Sequence, residues 1–372
     1  MNRYILILNT GSSSVKFRVF GMEENLPLVA GGKVTDIGTT PAFKASKETG
    51  GEHKVSLPLN TSHADSVELI LQWLAAEGIS AQDIVAAAHR IVHGGDRYVA
   101  PTLLEQDAMN YLRSLSSLAP LHQPHNLSGV DIFANALPDV PQYGCFDTAF
   151  HAEHDEMHAS FALPAKIRNR GVRRYGFHGL SYAWIAHCLK TDYPHLSAAR
   201  VVVAHLGNGA SLCAIKNMKS VDTTMGMTAL DGLPMGTRSG AIDAGAVFYM
   251  INHLGLGAAE TERILYEDSG LKGLSGISND VKTLSESEDE RAAFALDYFC
   301  LKTAQHIAGM AVFIGGMDVL VFTGGIGENA PTLRERIMAH LSFMPRFEHL
   351  VIAANEERGM AQDIFRKLRK EL

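Results

Sequence analysis

The sequence is short of positive charge. Its 33 Lys and Arg stand against 40 Asp and Glu, a formal net charge of −7. A general nucleic-acid binder needs surplus cations to displace counterions, so that class is disfavoured; a small anion held by a few local cations is not. Cysteine is scarce as well. Cys145, Cys188, Cys213 and Cys300 include no CxxC pair, which argues against a zinc ribbon or a thioredoxin-type site and for buried free thiols in a reducing compartment. Long apolar runs are missing. The first one turns polar at Asn9, too early for a signal-peptide core. The most apolar stretch, residues 307–322, is broken by Gly315, Gly316 and Asp318, so it does not read as a membrane span. No GxxxxGK[ST] occurs, and no GxGxxG follows a first strand, which argues against a P-loop and against a Rossmann dinucleotide site. The expectation is a cytoplasmic protein with neither nucleic acid nor membrane as partner.

What remains is a chain of 372 residues, 46% hydrophobic and 20% charged, long enough for about two globular domains. Residues 4–8 and 15–20 read as a hairpin around the small-residue turn from Asn9 to Ser14. From Thr61 toward Ile84 runs a capped amphipathic helical segment with Gly78 as its stop. Residues 84–88 form a strand, residues 105–117 and 127–136 helices, and residues 143–146 a strand ending at Asp147. The pattern then restarts. Residues 200–206 and 211–215 make a second hairpin, around Gly207, Asn208, Gly209 and Ala210. A long helix over 289–313 leads to a strand at 319–322, a glycine-rich turn from Thr323 to Asn329, and helices at 330–341 and 356–370. Alternating strands and helices indicate an α/β protein with mixed sheets. The repeated hairpin indicates a duplicated core in two domains facing across a cleft, with a boundary just after Asp147.

The glycine-rich turns present backbone N–H groups where strands end, the geometry that favours phosphate; any one taken alone is as readily a plain turn. Arg90 lies between His89 and His93, and Arg238 between small residues, so an anion can come close to either fork; a surface salt bridge is the competing reading. Asp147, at a strand end, reads as a metal ligand, an orienting carboxylate or a buried cap. His178 is exposed to a ligand by the glycines on its two sides. His151, His154 and His158 would share one helix face, which allows zinc but more often means surface histidines. Lys166, Arg168, Arg170, Arg173 and Arg174 read as a solvated loop or as positive potential near an anion.

The stretches LNTGSSSVKF, HRIVHGG, LAPLHQPHN, FDTAFH, RRYGFHGLSY, AHLGNGAS, DTTMGMTALDGLPMGTRSG, SGISND, FTGGIGEN and ANEE run in this order from residue 8 to residue 357. As an ordered set they closely resemble the acetate kinase family, within the superfamily of acetate and sugar kinases, heat-shock ATPases and actin. The resemblance implies a duplicated ribonuclease-H-like core with the active site in the interdomain cleft. It implies a discontinuous acyl- and phosphate-binding domain, residues 1–148 plus about 356–372, and a nucleotide-binding domain, residues 149–355. It implies a homodimer, with ATP or ADP and a short carboxylate as substrates and Mg²⁺ or Mn²⁺ as the ion.

Carried over by motif, Asn9 and Glu356 are the magnesium-linked pair, and Ser12, Ser14 and Lys16 line the first phosphate hairpin. Arg90 and Arg238 clamp carboxylate and phosphoryl, His178 and Asn208 face the equatorial oxygens, and Asp147 is the acidic active-site residue. His205, Leu206, Gly207, Asn208 and Gly209 hold the nucleotide. So do Asp280, Val281 and Lys282, and so do Gly324, Gly325, Ile326, Gly327 and Glu328. Val92, Leu121, Phe177 and Ala229 form the acyl pocket. The chain departs from the family pattern at Ala229, where Pro is usual, at Ala241, where the pattern has an acid, and at Ala244, where Pro is common. Lys282 replaces an Arg, and the segment 341–351 is shorter than usual. The roomier residue at 229 makes propionate or butyrate the alternative acceptor. A nucleotide-driven binding module of the heat-shock type is disfavoured by the two arginines beside a small apolar pocket.

Overall fold

The computed structural model describes residues 3–48 and 50–371. Its contacts divide the chain into two units, Met1–Ala149 with Asn355–Leu372, and Phe150–Ala354. Each unit is built on one mixed sheet.

The first sheet contains β1 (Tyr4–Thr10), β2 (Val15–Gly21), β3 (Leu28–Thr35), β4 (Ala42–Lys47), β5 (Glu52–Ser56), β6 (Ile84–Ile91), β7 (Thr102–Leu103) and β8 (Gln142–Phe146), in the order β5-β4-β3-β2-β1-β6-β8-β7. The second contains β9 (Val201–Leu206), β10 (Ala210–Lys216), β11 (Lys219–Thr223), β12 (Val319–Thr323) and β13 (Glu348–Val351), in the order β11-β10-β9-β12-β13. The run β3-β2-β1-β6-β8 repeats in β11-β10-β9-β12-β13: two antiparallel pairings, then two parallel ones. The duplication expected from two hairpins is therefore a duplication of five strands.

Side-chain alternation explains the layers. In β2, Val15, Phe17 and Val19 are buried while Lys16 and Arg18 are exposed, the pattern of a strand with one face on the core. Phe17, Phe43, Trp73 and Phe133 join Leu6 and Leu8 in the first core. Tyr182, Ile185 and Leu189 of the helix Gly179–Asp192 cover Val201, Val203, Val319 and Val321 in the second. The last helix, Glu356–Glu371, returns to pack on β1 and β6. No described helix is long and apolar enough to cross a membrane.

Several expectations change. The segment from Thr61 toward Ile84 is one helix only over His63–Ala76, capped reciprocally by Ser62 and Asp65. It stops at Gly78, whose φ of 85° suits glycine; a 3₁₀ turn at Ala81–Asp83 follows and β6 begins at Ile84. The helix expected from 127 starts earlier, as Gln123–Ala136, with Pro124 in its first turn. The glycine-rich run after β12 coils into a short helix, Gly324–Asn329. Strands β3, β4, β5, β7 and β11 have no counterpart among the expected elements: Gly31 and Gly32 interrupt the alternation in β3, every residue of β5 is exposed, and β7 has only two residues. His151, His154 and His158 do not share one helix. A 3₁₀ turn ends at His151 and a short helix starts at Glu156. Ser220 Oγ bonds both His151 Nδ1, at 2.8 Å, and His154 Nε2, at 2.7 Å, while His158 Nδ1 meets Asp222 at 2.8 Å. Among the described residues no group of three or more His, Cys, Asp or Glu is placed to hold a metal ion. Within the short 341–351 segment, β13 pairs in parallel with β12 from Val319 to Phe322.

Candidate active site

In the first unit, β1 ends at a turn closed by the Gly11 N–H donating to the Ser14 carbonyl at 2.8 Å. His63 Nε2, from the following helix, sits 2.9 Å from the Gly11 carbonyl and fixes the turn from outside. Asn9 lies opposite Lys16 in the ladder, so both side chains leave the same face. Ser12 and Lys16 are exposed, while Asn9 and Ser14 are partly buried.

Arg90 is the penultimate residue of β6, and Asp147 follows β8, its parallel neighbour. That placement sets two side chains 57 residues apart in sequence side by side. Arg90 Nε donates to Asp147 Oδ1 at 3.0 Å and Nη2 to Oδ2 at 2.7 Å. Arg90 Nη1 lies 3.1 Å from Glu356, the first residue of the returning helix. Burial alone would lower the guanidinium pKa; Asp147 and Glu356 outweigh it and raise the value, so the charge is held.

The positions beside Arg90 are set by the helix Gln123–Ala136. Asn126 accepts from the Val92 N–H at 3.0 Å and donates to the Thr10 carbonyl at 2.7 Å. Gln123 accepts from the His93 N–H at 3.1 Å and donates to the His93 carbonyl at 2.9 Å. Gly129 lets this helix lie against the end of β1, since a Cβ there would collide with the Thr10 side chain. Neither Gln123 nor Asn126 stood among the sequence-derived site residues; the HQPHN segment that holds them was the available signal. Of the expected pocket residues in this unit, Val92 is buried and Leu121 exposed.

In the second unit, the β9–β10 turn is the centre. His178 precedes the helix Gly179–Asp192 with a left-handed φ of 57°, a strained setting for a non-glycine residue. Its Nδ1 lies 2.8 Å from Ser211 Oγ, and its ring stacks on His205 with centroids 4.4 Å apart. Ser181 holds His205 Nδ1 at 2.8 Å. A Cβ at Gly209 would come within 3.2 Å of His178 Nε2 and 3.8 Å of Arg238 Nη1, so the absent side chain lets both groups lie against the turn. Arg238 Nη1 donates to the Ala229 carbonyl at 3.1 Å, and burial lowers the guanidinium pKa.

The expected nucleotide segments also converge within this unit. The Gly236 N–H donates to the Asn208 carbonyl at 3.1 Å, and Asn279 Nδ2 to Asn208 Oδ1 at 3.2 Å. Asp280 caps the helix Val281–Ser285 by accepting from the Thr283 N–H, which lowers the carboxylate pKa. A Cβ at Gly207 would stand 4.0 Å from the Gly325 nitrogen, and Gly324 (φ 78°) packs against the Leu206 backbone. Gly324 and Gly327 are buried and Ile326 partly so, at the start of the short helix. Glu328 serves the fold directly: Oε1 accepts from the Gly324 N–H at 3.0 Å and the Ala354 N–H at 2.9 Å. Lys282 is exposed, 3.9 Å from Glu286. Phe177 is buried, and its carbonyl lies 3.0 Å from His151 Nε2. Ser211, Tyr182, Ser181, Gly236 and Asn279 are the supporting residues that sequence reasoning missed.

Comparison with known proteins agrees across the chain. The pattern of the acetokinase family matches residues 4–359. An acetate kinase of Methylocella silvestris is 42% identical over 359 residues, 92% of this chain and 88% of that protein. Among solved structures, a propionate kinase from Francisella tularensis superposes with a TM-score of 0.90 at 34% identity, covering 97% of this chain and 98% of that one. The Porphyromonas gingivalis acetate kinase gives 0.87 at 32% identity, covering 98% and 100%.

Proposed function

From the premise that the chain belongs to the acetokinase family, we propose that it catalyses the reversible transfer of the ATP γ-phosphoryl group to acetate, giving acetyl phosphate and ADP. The observation that carries the reading is the cation set. Arg90 is locked between two carboxylates, while Arg238 and His178 both lie beside Gly209 in the β9–β10 turn. In the forward direction an acetate oxygen forms a bond to the γ-phosphorus as the bond to the bridging oxygen breaks, and ADP departs with that electron pair. Acetate is already ionised at neutral pH, so the attack needs no strong base. What must be supplied is alignment of two anions and neutralisation of their charge.

In this reading Arg90 orients the carboxylate and Asp147 orients Arg90. Arg238, His178 and Asn208 receive the equatorial phosphoryl oxygens. Val92, Leu121, Phe177 and Ala229 bound the acyl group. Ser12, Ser14 and Lys16 meet phosphate, while residues 205–209, 280–282 and 324–328 hold the nucleotide. Asn9 and Glu356 offer one amide and one carboxylate oxygen. That sparse donor set suits Mg²⁺, which keeps waters and takes its other ligands from substrate phosphates; the bound ion would neutralise phosphate charge. Residues 1–148 with 356–372 act as the acyl and phosphate domain, and residues 149–355 as the nucleotide domain. A cytoplasmic location is supported by four buried free cysteines. A homodimer is supported by exposed Phe248, Tyr249 and Leu254 in and just beyond the helix Ala244–Asn252.

A second acceptor, propionate, is favoured by Ala229 and by the likeness to a propionate kinase. Acyl-hydroxamate formation from ATP, Mg²⁺ and hydroxylamine tests both readings. Acetate fastest supports the acetate reading, and a longer acid fastest replaces it. No product with acetate, propionate or butyrate overturns the phosphotransfer reading.

A further inference from the structure

Strands β2 to β5 place four lysines in one cross-strand row. Lys16 lies opposite Lys33, Lys33 opposite Lys44, and Lys44 opposite Lys54. Directly opposed residues leave the same face, and neighbouring strands stand about 4.8 Å apart, so the row aligns like charges across the sheet. Like charges in this relation destabilise pairing. Lysines commonly protect a sheet edge, but that accounts for Lys54 alone: β5 is the edge, and β2, β3 and β4 are interior strands.

The rest of the face is built to match. Arg18 follows Lys16 on the same side and lies over Gly31, where a Cβ would stand 2.7 Å from the arginine side chain. The result is an open cavity of 380 Å³ whose charged lining is Lys16, Arg18, Lys33, Lys44 and the single acid Glu357. Glu52 meets Lys44 at 2.7 Å, but both side chains are about half exposed (53% and 50%), and such a pair is weak competition for a ligand. On a chain with a net charge of −7, this is a local reversal of sign of which the proposed phosphotransfer uses Lys16 alone.

We propose that this cavity is a second anion site, taking a small oligophosphate along the lysine row on the open face of β2, β3 and β4. A row of point charges at strand spacing complements a linear anion with charge spread along its length better than a compact one. Because Lys16 belongs to both this row and the first hairpin, occupancy draws it away from the nucleotide phosphates and slows turnover. That consequence rests on the proposed phosphotransfer role of Lys16; the binding itself does not.

The test is calorimetric titration of inorganic tripolyphosphate, without Mg²⁺, onto the wild-type chain and the double variant Lys33→Gln/Lys44→Gln. The expected result is binding to wild type that weakens about tenfold or more in the variant, with orthophosphate binding far more weakly to both. ADP affinity and kcat are expected to stay within about twofold, since neither residue belongs to the catalytic set. The variant's Tm without anion should equal or exceed that of wild type, because repulsion is removed. Equal tripolyphosphate affinity in both proteins, or binding to neither, overturns the site. Citrate binding as tightly as tripolyphosphate overturns the oligophosphate assignment, and tighter binding of a single-stranded oligonucleotide overturns a small ligand. Failure of the acyl-hydroxamate assay would remove only the kcat comparison and leave the binding and melting readouts intact.

Discussion

Arg90 and Asp147 meet fork to fork, with Nε 3.0 Å from Oδ1 and Nη2 2.7 Å from Oδ2; the aspartate side chain is 2% exposed and the arginine 21%. Both carboxylate oxygens face the guanidinium, an arrangement that fixes the plane of the arginine. In the proposed reading Asp147 is therefore a positioning residue and not a proton acceptor, since the substrate carries no proton at neutral pH.

Asp147→Asn separates the two roles. Keeping the shape but losing the charge should lower kcat by about a hundredfold, equivalent to about 2.7 kcal/mol of transition-state stabilisation. The kcat–pH profile should keep the wild-type shape. Loss of a pH-dependent limb present in wild type would instead identify a base. Removing one member of a buried pair also costs stability, about 3–5 kcal/mol, so a melting curve accompanies the kinetics.

Asn126 ties the Val92 N–H to the Thr10 carbonyl. Asn126→Ala leaves both without this partner, at about 1–3 kcal/mol for each buried group left unsatisfied. Urea unfolding should show that loss. Because Val92 borders the proposed acyl pocket, KM for the carboxylate should rise more than KM for ATP. An equal rise in both would reduce Asn126 to a purely structural residue.

Local chemistry made much of this legible in the sequence. The turns around Gly11 and Gly209 and the Asp289 cap of the helix Glu290–Phe313 depend on residues within a few positions of one another. Contacts made by topology were not legible as geometry. Arg90 reaches Asp147 across 57 positions, and His178 reaches Ser211 across 33; only the ordered motifs signalled that these segments belong together. Strand β3 escaped notice because Gly31 makes room for Arg18 and Gly32 presses on the β4 backbone, so its sequence follows close approach and not alternation.

Ser211 Oγ lies within hydrogen-bond distance of both His178 Nδ1 and the Tyr182 hydroxyl. Ser211→Ala removes the group that orients the imidazole. The expected effect is a fall in kcat of about tenfold or more with little change in KM for ATP. Ser211→Thr, which keeps the hydroxyl, should recover most of the rate. A loss of stability with unchanged kcat would show that the hydroxyl supports only the fold.

Acid should destabilise the protein through histidines held neutral by burial. Burial lowers His89, His93 and His151 from 6.5 to about 4. Below pH 6.5 the unfolded chain takes up protons that the native state refuses. Stability is therefore full above that pH and falls progressively until about pH 4. Each group contributes a slope of up to about 1.4 kcal/mol per pH unit in that window. Urea midpoints at pH 7, 6 and 5 should fall together with this slope, and His89→Asn should flatten it. A flat stability between pH 7 and 5 would contradict neutral burial.

In the proposed reading acyl selectivity turns on Ala229, whose carbonyl accepts from Arg238 Nη1 at 3.1 Å. Proline keeps that carbonyl, so Ala229→Pro can retain the arginine contact while adding a rigid ring beside the proposed acyl group. One methylene in an apolar pocket is worth about 1–3 kcal/mol. The ratio of kcat/KM for acetate over propionate should therefore rise by about tenfold or more. Most of the change should come from weaker propionate turnover, with kcat on acetate held within about twofold. An unchanged ratio would remove Ala229 from the pocket and leave Val92 and Phe177 as the side chains to vary next.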